Sequence, residues 1–197
     1  MRKNKFSTFL LLGGMSATFV VLPGCSANVK KEANGQDKQV DIKSFAGGIH
    51  VSNDADAVDT GLAVYPGAHL KPKGSSGDNK SANVNLSGFG YSLKVVALEY
   101  ESDAAPVKVL AFYKDQLKKY GTVLECHTSH LNLDMKMGSD SKNDSNELTC
   151  EGDDHGGNIE LKVGKKDDQH IVAVEPEGKG SSFSLVYVRT HGKEADI

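Results

Sequence analysis

The sequence predicts an α+β fold, an antiparallel β-sheet packed against one main α-helix. Three observations predict it. Beyond residue 121 come five short apolar or alternating runs, "TVLECHT", "NELTCEG", "NIELKVG", "HIVAVEP" and "SFSLVYVRT", divided by Gly-, Asp- and Asn-rich turns. That spacing is the mark of an antiparallel meander. The stretch "SDAAPVKVLAFYKDQLKKYG" carries the one strong helical periodicity in the chain. Strand patterns stand both before and after it, which makes a sheet with a helix laid on one side the economical layer arrangement.

The elements follow in chain order. Residues 26–39, "SANVKKEANGQDKQ", offer almost nothing to bury and read as a flexible tether. In "VDIKSFAGGIHV", Val40 and Ile42, then Ile49 and Val51, alternate about a Gly47-Gly48 turn signal, which predicts a hairpin within 40–60 that could stand apart from the rest. The same stretch resembles one rung of an adhesin β-solenoid, but no repeat follows it. "GLAVYPGAHLKP" is apolar and broken at Pro66-Gly67, and "KPKGSSGDNKSA" is a loop. "NVNLSGFGYSLKVVALEYES" gives two strands hinged near Gly88 and Gly90, the second apolar on both faces and so central to the sheet. In the helix, Asp103 lies in the N-cap region, Pro106 in the first turn and Gly121 just past the end. Val107, Val109, Leu110, Phe112, Tyr113, Leu117 and Tyr120 form a broad apolar face, and Lys118 and Lys119 suit the negative end of the helix dipole. Residues 40–197 are therefore expected to form a single domain.

The amino-terminal segment has a different logic. Arg2, Lys3 and Lys5 precede an uncharged run from Phe6 to Leu22, the order of a secretory signal. The run is interrupted by Gly13-Gly14 and falls short of the roughly 20 apolar residues of a comfortable membrane span. Leu22-Pro23-Gly24-Cys25 resembles the lipobox of bacterial lipoproteins, with Pro23 where that class usually has a small residue. The resemblance implies a signal peptide over 1–24, diacylglycerol on the Cys25 sulfur and an acylated new amino terminus. The alternative is an ordinary signal peptide with an incidental cysteine. Ser26 after the cysteine resembles the outer-membrane sorting pattern, which implies a protein anchored in the bacterial envelope and facing the periplasm. "VYPGA" followed by "APVKVLAFYKDQLKKYG" is also similar to small exported bacterial proteins of unknown function, a likeness that names no chemistry.

Loss of the 24-residue leader leaves 173 residues, and the 23 bases, less Arg2, Lys3 and Lys5, face 26 acids for a net charge of about −6. Acids and bases are interspersed, which argues against nucleic acid as a partner. With Cys25 assigned to lipid, Cys126 and Cys150 form an even pair in an oxidising compartment, and a structural disulfide is expected. Leu124 with Cys126, and Leu148 with Cys150, would share the core side of two adjacent strands. The competing use is a metal site made of these cysteines with His127, His130 and His155, or a thiol-redox site. Against a metal, His127 projects from the strand face opposite Cys126, and no C-x-x-C is present. Asp134, Asp140, Asp144, Asp153 and Asp154 lack EF-hand spacing.

Catalytic parts are missing. There is no G-x-S-x-G, no H-E-x-x-H and no phosphate-binding loop, since "EGKGSSF" lacks the G-x-x-x-x-G-K spacing. Pairing of Glu99, Glu101 and Asp103 in space is not legible, and Tyr65, Tyr91, Tyr100 and Tyr113 read as core or core-rim residues. The expectation is a non-enzymatic binding or structural module without a cofactor, held to the membrane by lipid and meeting an envelope protein partner.

Overall fold

A computed structural model describes residues 25–31, 37–73, 78–128, 146–150 and 156–192. The described residues are mostly strand. Its main antiparallel sheet contains β1 (Ser26–Lys31), β2 (Asp37–Ser44), β3 (Gly47–Ser52), β7 (Ser81–Gly88), β8 (Tyr91–Ser102), β9 (Leu124–Thr128), β10 (Asn158–Lys165), β11 (Asp168–Glu177) and β12 (Gly180–His191). Their order across the sheet is β1-β2-β3-β7-β8-β12-β11-β10-β9, and short β4 (His69–Leu70) joins the far end of β8. A small separate pair is made by β5 (Pro72–Lys73) and β6 (Asp78–Asn79).

Among the described residues the one α-helix, α1 (Pro106–Leu117), continues as a 3-10 turn over Lys118–Tyr120. This corrects the predicted α+β class: the protein is a β-rich antiparallel fold with one helix laid on it. The physical reason lies at the edges. Ser26–Lys31 looks like a tether because it buries little, yet an outer strand needs backbone pairing and not burial. All six side chains of β1 are exposed while its backbone pairs with β2 from Ser26↔Lys43 onward. The β2–β3 hairpin forms with its turn at Phe45-Ala46, two residues before the glycine pair, and β3 pairs along its length with β7, so it belongs to the main sheet.

The helix covers only half of the sheet. Val109, Leu110, Tyr113 and Leu117 pack onto Val96, Leu98, Phe183, Leu185, Val172, Val174, Leu161 and Val163 from β8, β12, β11 and β10. Val107, expected on the apolar face, is exposed, and the N-cap is Ala105 without a side-chain bond in place of Asp103. Pro106 does occupy the first position, where its missing N–H costs nothing. The turn at Pro66-Gly67 (Gly67 φ 79°) sets Tyr65 edge-on to Phe112, ring centroids 5.2 Å apart. As expected, β8 is central: Val96, Leu98 and Tyr100 face the helix, and Leu93 and Val95 belong to a second cluster on the opposite face.

Candidate functional site

That opposite face carries the most distinctive surface of the molecule. Directly paired residues of adjacent strands share a face, so the register can be read straight across the sheet. One row runs Val29, Val40, Val51, Val84, Val95, Val188. The next runs Ala27, Ile42, Ile49, Leu86, Leu93. Exposure rises outward along both: Val95 is 7% exposed and Val29 45%, Leu93 6% and Ile42 39%. The other face of the same outer strands is polar. Gln39, Asp41 and His50 lie there, with Asp41 accepting from Gln39 Nε2 at 2.6 Å and its other oxygen 2.6 Å from His50 Nδ1. The His50 hydrogen bond holds the Asp41 carboxyl below its usual range. The outer strands are thus amphipathic, with their aliphatic side turned away from the helix.

The predicted Cys/His set is divided. Cys126 and Cys150 form a disulfide with Cα atoms 5.4 Å apart. Residues 146–150 have no regular secondary structure, so "NELTC" is no member of the meander. Cys126 is buried, on the sheet face away from the helix: it stands opposite Glu160, whose neighbours Leu161 and Val163 face α1, so Leu124 and Cys126 point to the other face. His127 does project opposite Cys126, its Nε2 3.4 Å from Glu125 Oε1. Glu125 is ion-paired to Lys114 of the helix, and that bond above all lowers its pKa. His130, His155 and the five aspartates lie outside the described residues. Among the described residues no group of three or more His, Cys, Asp or Glu could hold a metal. Cys25 is an exposed free cysteine directly before β1.

Glu99 finds lysines. Lys71 Nζ lies 2.9 and 2.8 Å from the two Glu177 oxygens, 3.2 Å from Ser182 Oγ and 3.4 Å from Glu99 Oε1, while Lys80 Nζ lies 3.0 Å from Glu99 Oε2. The Glu177 hydrogen bond raises Lys71, and the Lys71 hydrogen bond lowers Glu177. Each group is held charged, the reverse of what proton transfer near neutral pH requires. Sequence reasoning missed this cluster, because 106 positions separate Lys71 from Glu177 and no local pattern joins them.

It also missed His170. The ring stacks between Tyr120 and Tyr187 at centroid distances of 3.8 and 4.8 Å, and its Nδ1 lies 2.8 Å from the Thr60 carbonyl oxygen. Burial lowers its pKa. Tyr120 Oη donates to the Gly61 carbonyl at 2.7 Å, closing the stack over the loop. Every ring nitrogen contact is internal packing, so this histidine locks a loop to the sheet.

No protein family, curated protein or solved structure matches the chain.

Proposed function

We propose that this protein is a lipid-anchored bacterial envelope protein that works without catalysis, as a module binding another envelope protein. The lipobox-like Leu22-Pro23-Gly24-Cys25 supports the anchor, with Cys25 exposed at the outset of the edge strand. The single observation that carries the binding role is the aliphatic surface that emerges from the core along Leu93, Leu86, Ile49 and Ile42 toward the open side of β1. Contiguous exposed apolar surface of this kind marks an interaction site. A partner strand adding to β1 would extend the ladder and cover the same residues. Lys30 and Lys31 blunt only the far half of that edge, and Ser26–Val29 carries no charge.

Against the metal reading, Cys126 and Cys150 are joined in a disulfide and His127 turns to the other face, while a thiol-redox role for that disulfide is the alternative that the paired cysteine variants test. The deciding experiment places a photo-crosslinking residue at Ile42 or Ile49 in intact cells. A discrete adduct that vanishes when the crosslinker is moved to exposed Val107 supports the reading. Identical, diffuse labelling from all three positions would sink it.

A further inference from the structure

The β-sheet has two ends, and one of them collects three features that no folding argument explains together. Because Ser26 pairs with Lys43 and Gly47 with Gly88, Cys25, the Phe45-Ala46 turn and the Phe89-Gly90 turn all lie at the same end. Phe45 is 91% exposed and Phe89 93%. The turns are locked to each other: the Phe89 N–H donates to the Ala46 carbonyl at 3.3 Å. A Cβ on Gly88 would come within 2.8 Å of that same oxygen, so the close approach of the two hairpins depends on glycine there.

Phe89 is also in the wrong place for a merely structural residue. Phe89 and Gly90 have φ values of 51° and 82°, the positive pair of a type I′ two-residue hairpin loop, where Asn-Gly is favoured. A bulky side chain in that region costs energy, and Phe89 recovers none of it by packing. Two phenyl rings thus stand in water, one of them against its own backbone preference.

We propose that Phe45 and Phe89 insert into the headgroup region of the membrane that Cys25 is anchored in, so that this end of the sheet sits on the bilayer. The proposal rests on Cys25 as the lipid attachment point. What carries it is the absence of slack: β1 begins at Ser26, the residue after the cysteine, so a sulfur at the membrane surface brings the sheet end with it. Strands lie about 4.8 Å apart, which puts the Phe89 turn, between the fourth and fifth strands counted from β1, roughly 17 Å across from Cys25 and inside the footprint of a protein seated on a bilayer. Exposed aromatic and aliphatic side chains bury some 5–10 Å deep at such an interface. A soluble protein partner would not explain why both rings share an end of the sheet with Cys25.

The chain contains no tryptophan, so single-tryptophan variants report cleanly. Phe45→Trp, Phe89→Trp and Val107→Trp chains, purified with their acyl groups from the producing cells, are reconstituted in phosphatidylcholine vesicles with brominated acyl chains. Val107 is exposed and lies at the start of α1, which follows the opposite end of β8. The expected result is a blue-shifted and quenched emission at positions 45 and 89 and neither change at 107. Vesicle-bound chain of acylated mass with unquenched tryptophans at 45 and 89 overturns the insertion and leaves the anchor standing. A blue shift without bromine quenching overturns it in favour of cover by protein, a second copy included. Equal quenching at all three positions overturns the orientation. A chain of unacylated mass that fails to float with the vesicles overturns the anchor, and the insertion with it.

Discussion

Tyr113 accepts the backbone N–H of Tyr65 on its phenolic oxygen at 3.0 Å, from a side chain with no solvent exposure. The bond ties the Pro66-Gly67 turn to the middle of α1, 48 residues away, and burial raises the phenol pKa so that it stays neutral. Tyr113→Phe keeps the packing and strands the amide, and the expected loss is about 1 kcal/mol. Tyr113→Ala also opens a cavity against Phe183 and should cost about 3–5 kcal/mol. Urea unfolding of the two variants separates these terms, and equal losses would refute the assignment.

Reduction of the disulfide should destabilise the fold without unmaking the sheet. The bond spans 24 positions. Loop-closure entropy then gives about 3 kcal/mol of stabilisation. The Cys126→Ala/Cys150→Ala double variant is expected to show a lower denaturant midpoint with an unchanged native far-ultraviolet spectrum. A redox-active pair would instead change the protein's activity in the envelope at unchanged stability.

Stability should fall on mild acidification because of His170. Burial holds its folded pKa below the ordinary 6.5, so the unfolded chain takes up a proton first as the pH drops. The contribution is fully present above the unfolded value, is lost as the pH falls through 6.5, and stops changing below the folded value. The chain has 7 histidines, so the readout is a difference between proteins. Melting curves between about pH 7.5 and pH 5 should show a smaller acid loss for His170→Gln than for the parent. Parallel curves would mean that burial leaves the histidine's affinity for a proton unchanged.

These features differ in how far local sequence reveals them. The helix, the central strand β8 and the cysteine pair were legible because each rests on a simple signal: 3.6-residue periodicity, apolarity on both faces, or an even pair of cysteines left once Cys25 is set aside. Edge strand β1 was not, since its side chains bury nothing and composition reports burial. Which face of the sheet buries Cys126 was not legible for a related reason. Alternation assigns Leu124 and Cys126 to one face, but only the pairing of Cys126 with Glu160 says which face the helix covers. Val40, Ile42, Ile49 and Val51 announced a hairpin, yet their continuation into Val84, Leu86, Leu93 and Val95 is a matter of register between distant segments.

The gradient of exposure along that ladder separates folding from binding. Leu93→Ala removes a side chain only 6% exposed and should cost about 2–5 kcal/mol. Ile42→Ser acts where the side chain is 39% exposed and should stay within about 0.5 kcal/mol of the parent. Under the proposed function the order reverses for partner capture: Ile42→Ser should abolish the crosslinked adduct formed from position 49, while the folded fraction of Leu93→Ala retains it. A large stability loss at Ile42 would instead assign the outer ladder to the core.

Phe89→Asn offers the sharpest contrast between what the fold prefers and what the chain carries. Asparagine tolerates the left-handed region, so the substitution should relieve about 1 kcal/mol of backbone cost at a turn where the phenyl ring makes up nothing. The variant is expected to unfold at higher urea concentration than the parent. If Phe89 serves the membrane, the same variant should lose interfacial contact, read as weaker bromine quenching of a tryptophan at position 45. A variant destabilised by the change would show that the ring at 89 supports the two hairpins, and that its exposure is not a sign of use.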